Sequence, residues 1–88
     1  MKMKTNNNPY FELELTFNDV KTAETIYNSV YVEHCDSQIR SKCDMEIKDN
    51  VIKICGSAEE VSILKASVYS YIRWIKIAEN IYEIINKR

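Results

Sequence analysis

Three observations on this 88-residue chain predict an α+β two-layer sandwich with the element order β-α-β-β-α. Apolar residues alternate with period two in three stretches, they recur at three- and four-residue steps in two others, and turn or capping residues fall between the stretches. Three antiparallel strands with both helices on one face form a KH-like topology. Gly56 is the single glycine, so the GxxG loop with which KH modules clamp a nucleic-acid backbone is absent. A Walker loop and a dinucleotide fingerprint are excluded on the same ground.

The elements follow in order. Residues 1–9 read as a flexible polar leader, with two lysines running into Asn6-Asn7-Asn8-Pro9 rather than an apolar run, so no secretory signal is expected. Residues 10–88 read as a single domain. In Tyr10–Phe17, Phe11, Leu13, Leu15 and Phe17 share one face, with Glu12 and Glu14 on the other. Asn18 is placed to cap a helix whose apolar positions are Val20, Ala23, Ile26, Tyr27 and Val30, ending near Tyr31 or Glu33. Period two returns over Ile39–Ile47, with Ile39, Ser41, Cys43, Met45 and Ile47 on one face. Lys48-Asp49-Asn50 then turns the chain into a second strand, Val51–Cys55. Ser57 followed by Glu60 has the spacing of a capping box and opens a last helix running nearly to Arg88.

Composition narrows the functional classes. With 12 basic and 13 acidic side chains the net charge is −1, too little field for autonomous tight binding of nucleic acid. Arg73 and Lys76 interrupt the most apolar region, so no membrane span is expected. The three cysteines, Cys35, Cys43 and Cys55, include no CxxC pair and read as reduced thiols in a cytoplasmic or nuclear protein. No metal site with finger-type spacing and no cofactor are expected. His34 and Cys35 are the one nucleophile and base close in sequence, but as neighbours on an extended chain they point to opposite sides. Glu12, Glu14, Asp44 and Glu46 are expected to share the open face of the sheet with Lys42, Lys48 and Lys53 as an ordinary solvated surface. No enzyme is expected.

The last helix carries more apolar surface than one sheet can cover. Val61, Leu64, Val68, Tyr71, Ile72, Ile75, Ala78 and Tyr82 fall in one stripe, while Ile63, Ser67, Ser70, Trp74, Ile77, Ile81 and Ile84 form a second. Leaving Trp74 and the four isoleucines of the second stripe in water forgoes about 10 kcal/mol at roughly 1.5 to 3 kcal/mol per side chain. The first helix could cover part of that stripe. A last helix of about 43 Å, however, outruns it and leaves Ile77, Ile81 and Ile84 for a partner. The small Ser67 and Ser70 permit close approach of another helix. Lys65, Arg73 and Lys76 cluster beside Tyr69 on a third face, which suits phosphate or simply water.

The run Leu64-Lys65-Ala66-Ser67-Val68-Tyr69-Ser70-Tyr71-Ile72-Arg73-Trp74-Ile75 resembles the signature of the small dimerisation subunit of the KEOPS complex, the Pcc family. The likeness extends to Phe11–Phe17, to Ala23, Ile26, Tyr27, Asn28 and Ser29, to Arg40-Ser41, and to Ala78-Glu79 and Tyr82. Gly56 departs from it, where an apolar strand residue is more usual, leaving the end of the third strand open. The resemblance implies a non-catalytic subunit of the assembly that installs threonylcarbamoyl groups on tRNA. Its expected partners are a Kae/TsaD-type catalytic subunit and a second copy of itself. Tyr27, Val30, Ile63, Ser67, Ser70, Trp74, Ile77, Ile81 and Ile84 are the candidate partner contacts. Arg40, Lys65, Arg73 and Lys76 are the candidates for contact with tRNA inside the complex. A stand-alone KH-like RNA-binding module is the alternative.

Overall fold

The computed structural model describes residues 8–36 and 42–86. Strand β1 (Tyr10–Thr16) leads to helix α1 (Val20–Asp36), strands β2 (Lys42–Lys48) and β3 (Val51–Ser57), and helix α2 (Val61–Asn86). Among the described residues the sheet order is β1-β3-β2, all antiparallel, so β3 is central and the other two strands lie at the edges. The predicted α+β architecture and element order are those observed.

Alternation does what the sequence predicts for it. Phe11, Leu13 and Leu15 of β1, Cys43, Met45 and Ile47 of β2, and Ile52 and Ile54 of β3 turn inward and meet Ile26 and Val30 of α1 and Tyr71 and Ile75 of α2. Glu12, Glu14, Asp44 and Glu46 face outward. The register sets Lys53 between Glu14 and Glu46, and Cys55 between Glu12 and Asp44. Burial, followed by the carboxylates of Asp44, Glu12 and Glu46 and the nearby Cys43, raises the Cys55 thiol above its usual range, which favours its protonated form.

Element ends differ from the sequence reading at several points. Asp19, not Asn18, caps α1, because its Oδ1 accepts the Thr22 N–H at 2.7 Å. That bond holds the Asp19 carboxyl below its ordinary value. Helix α1 continues past Glu33 to Asp36, with His34 buried against α2 and extending the packed face by one turn. Of the strand predicted from Ile39, residues 39–41 lie outside the described residues. Asp49 adopts φ 56° in the β2–β3 turn, a conformation that a short polar side chain tolerates. Asn50 ties the turn to the end of β1 by donating from Nδ2 to the Phe17 carbonyl at 2.6 Å and accepting the Phe17 N–H at 2.9 Å.

Strand β3 runs through Gly56 to Ser57, which pairs with Tyr10 on one side and Lys42 on the other. Ser57 therefore belongs to the ladder, and the Ser57–Glu60 capping box does not form. The helix opens at Val61, and the Leu64 N–H closes its first turn on the Glu60 carbonyl at 3.1 Å. Gly56 is a strand residue for a steric reason. It pairs with Phe11 and Cys43, and a Cβ placed there meets Cys43 Sγ at 2.5 Å and Phe11 Cε1 at 2.8 Å, with the Lys42 carbonyl at 3.1 Å. The Phe11 ring and the Cys43 sulfur occupy the space an inward side chain needs. Gly56→Ala is expected to lower stability by about 1 to 3 kcal/mol, the usual cost of overpacking, read as a lower denaturant midpoint at unchanged slope.

Candidate docking groove

The two helices lie antiparallel, which two cross-helix contacts define: Thr22 meets Tyr82 at 3.2 Å near one end, and His34 meets Tyr71 at 2.6 Å near the other. Side-chain spacing on α2 then decides what is covered. Leu64, Tyr71 and Ile75 are buried, and Val68, Ala78 and Tyr82 are half-buried, as the first stripe predicts. Val61 and Ile72, assigned to that stripe from spacing alone, are exposed, because they lie on its solvent-side margin. Val20 of α1 is exposed as well.

The second stripe divides in two. Its N-terminal part, Ile63, Ser67, Ser70 and Trp74, is half-buried. Its C-terminal part stays open, with Ile77 at 49%, Ile81 at 53% and Ile84 at 67% exposure. A groove of about 490 Å³ runs between this part of α2 and α1. Trp74, Ile77, Ala78, Ile81, Tyr82 and Ile85 form its α2 wall, and Lys21, Thr25, Ser29 and Glu33 form the α1 wall.

Trp74 is braced from below by a chain of rings. It packs edge-on against Tyr71 at a centroid distance of 5.0 Å, and Tyr71 in turn meets Phe11 at 6.3 Å and His34 at 5.9 Å. His34 contacts Tyr31, which stacks on Tyr27. A half-buried indole held by a T-shaped contact is a pre-positioned anchor with little rotamer freedom left to lose on binding.

The nine partner-contact candidates do not form one surface. Trp74, Ile77 and Ile81 line the groove. Val30 belongs to the core at 1% exposure and touches no partner in the folded chain. Tyr27 lies on the other flank of α1, its hydroxyl donating to the Met45 carbonyl of β2 at 3.2 Å. Ile63 lines a separate cleft with Lys42, Ser57 and Glu60 at the far end of α2. Ser67 and Ser70 lie between these regions and outside the groove lining, and Ile84 is exposed beyond it, with Ile85 in its place. Sequence reasoning missed the α1 wall. Its signal was present as the strict four-residue spacing of positions 21, 25, 29 and 33.

Lys65, Arg73 and Lys76 are exposed together with Tyr69 on the outer face of α2, away from the groove lining, while Arg40 falls outside the described residues. His34 and Cys35 prove to be helical neighbours rather than strand neighbours. His34 is buried on Tyr71 and Cys35 is exposed, so the imidazole is engaged away from the thiol. Among the described residues no three His, Cys, Asp or Glu side chains are grouped to hold a metal ion, and no helix is long and apolar enough to cross a membrane.

A chain of the solved structure described as "Crystal structure of binary complex Gon7-Pcc1" superposes on this one with a TM-score of 0.72 at 21% identity, covering 88% of this chain and 95% of that one. At that identity the match speaks for the fold. No curated protein matches the sequence. Residues 10–83 match the family described as "Transcription factor Pcc1". That span takes in every strand among the described residues, all of α1 and nearly all of α2, and on it the chain belongs to the Pcc1 family.

Proposed function

We propose that this protein is a non-catalytic scaffold subunit of a cytoplasmic KEOPS assembly that modifies tRNA with threonylcarbamoyladenosine. The groove between α1 and α2 receives helices of a Kae/TsaD-type catalytic subunit, and self-association uses another surface. The observation that carries this reading is the open C-terminal half of the second stripe, where Ile77, Ile81 and Ile85 stand exposed beside the braced Trp74. In so small a domain such a surface is the mark of a binding site. Family membership and the likeness to a protein solved in complex with Gon7 support a role in assembly. Among the described residues β1 and β2 are the two edges of the sheet, and an edge strand offers backbone groups for joining a second copy.

The deciding measurement is mass by size-exclusion chromatography with light scattering, on the chain alone and after mixing with a Kae/TsaD-type subunit. A dimer that moves into a larger stoichiometric complex is the expected result. A chain that ignores the catalytic subunit overturns the assignment.

Lys65, Arg73 and Lys76 give tRNA phosphate a sequence-independent contact within the assembled complex. Reversing Arg73 and Lys76 together is expected to weaken tRNA affinity of the complex and flatten its salt dependence by about one unit of slope for each phosphate that is no longer neutralised. Gel shift across a salt series reads both. Binding of tRNA by the isolated chain favours the KH-like RNA-binding module instead.

A further inference from the structure

The α1 wall of the groove is polarised in a way that α1 itself does not favour. Lys21 lies in the first turn of the helix and Glu33 in the last, and the first turn holds no acidic residue. A helix dipole is positive at its N-terminus and negative at its C-terminus, so both side chains add to the field of the end they occupy instead of compensating it. The nearby Asp19 carboxylate, engaged by the Thr22 N–H, feels Lys21 but leaves it exposed on the wall. Between the two charges the wall is quiet. Thr25 and Ser29 turn their hydroxyls back onto the carbonyls of Lys21 and Thr25 at 2.9 and 3.0 Å, so neither asks for an outside partner. Lys21 and Glu33 are the charged side chains lining the groove, about 18 Å apart along the axis at 1.5 Å per residue. Because α1 and α2 are antiparallel, the positive end lies beside Tyr82 and Ile85 and the negative end beside Trp74.

Resting on the docking role proposed above, we infer that Lys21 and Glu33 set the direction and register of the helix that enters the groove. The occupant is an amphipathic helix of a second protein lying antiparallel to α1. Its N-terminal end and a cationic side chain sit over Glu33. Its C-terminal end and a carboxylate sit over Lys21, three turns away. Its apolar face fills the space over Trp74, Ile77 and Ile81. The opposite direction sets like dipole ends over like charges and places the helix termini against both residues.

The test measures affinity of a Kae/TsaD-type subunit for the unaltered chain, for Lys21→Glu and for Glu33→Lys, at low and high salt, with a thermal melt of each isolated variant. Each reversal is expected to weaken binding about fivefold at low salt, with the difference closing as salt screens the pair. Glu33→Lys is expected to melt no lower than the unaltered chain, because it brings the end of α1 into accord with its dipole, and Lys21→Glu is expected to melt close to it, the dipole gain offsetting the lost attraction to Asp19. Weaker binding with undiminished stability is a combination that a purely structural role for the two residues does not produce. Unchanged affinity in both variants overturns the charge register while the docking role stands. Failure of the unaltered chain to bind overturns both. A fall in self-association of the isolated variants, with partner binding intact, places a second copy in the groove and overturns the assignment to another protein.

Discussion

Replacing Ile77 and Ile81 together with aspartate is expected to abolish co-purification of the Kae/TsaD-type subunit while leaving the melting temperature of the isolated chain nearly unchanged. Both side chains are about half exposed, so the folded monomer gives up little packing when they change, and surface changes of this kind usually stay within about 0.5 kcal/mol. In the proposed complex the same positions face the apolar side of the docked helix, where each aspartate is buried without a partner. Removing an interface anchor in this way costs about 2 kcal/mol or more, so affinity is expected to fall by a factor of several hundred or more. Trp74→Ala separates the anchor from the repulsion, since it removes area without adding charge. Because Trp74 also packs on Tyr71, that variant is expected to lose some stability along with binding. A large drop in melting temperature for the Ile77 and Ile81 pair shows that these residues are internal and removes the groove as a docking site.

The parts of the molecule legible in the sequence are those that periodicity alone determines. Strand β1 alternates without interruption, and its inward residues are the ones predicted. The surplus stripe of α2 follows from counting apolar positions around a long helix, but its open half does not lie beyond the first helix as the helix lengths suggest: α1 runs beside Ile77 and Ile81 and leaves them exposed across a groove. What was illegible depends on geometry that spacing does not carry, at the start of α1 locally and elsewhere through partners distant in the chain. Asn18 and Asp19 are both competent caps, and geometry chooses the second. Ser57 has the composition of a cap, but the ladder on both sides of β3 claims its backbone first. Gly56 is explained by Phe11 and Cys43, which lie 45 and 13 positions away. Val30 has the same period as a partner-facing residue, and periodicity cannot distinguish the sheet beneath a helix from a protein above it. The α1 wall escaped for the converse reason: polar residues in a line read as a solvated face until a neighbouring helix turns that face into one side of a groove.

Tyr71 joins stability to the site, and Tyr71→Ala is expected to cost about 3 to 5 kcal/mol, the range for removing a large buried ring. It is 1% exposed and touches Phe11, His34 and Trp74, so its loss opens the core and unseats the indole that anchors the groove. Partner binding is therefore expected to fall with stability in this variant, whereas Tyr71→Phe keeps the ring, costs about 1 kcal/mol for the missing hydrogen bond, and retains binding. The hydroxyl also carries a pH signature. Burial holds the His34 imidazole below its ordinary value, with the Asp44 carboxylate opposing in part. Nδ1 and the Tyr71 hydroxyl share a hydrogen bond of 2.6 Å, and in the imidazolium, where both ring nitrogens donate, the hydroxyl has to accept. The unfolded chain takes up the proton at the ordinary histidine value near 6.5, before the folded chain does. Stability from this source is consequently full above about pH 6.5 and declines as pH falls from there toward the lower folded value. Thermal melts between about pH 8 and pH 5 are expected to show that decline in the unaltered chain and a shallower one in His34→Phe. Identical slopes for the two assign the acid sensitivity to carboxylates elsewhere. Because the aromatic chain continues from His34 through Tyr71 to Trp74, loosening at the imidazole reaches the groove floor, and partner affinity is expected to weaken over the same pH interval.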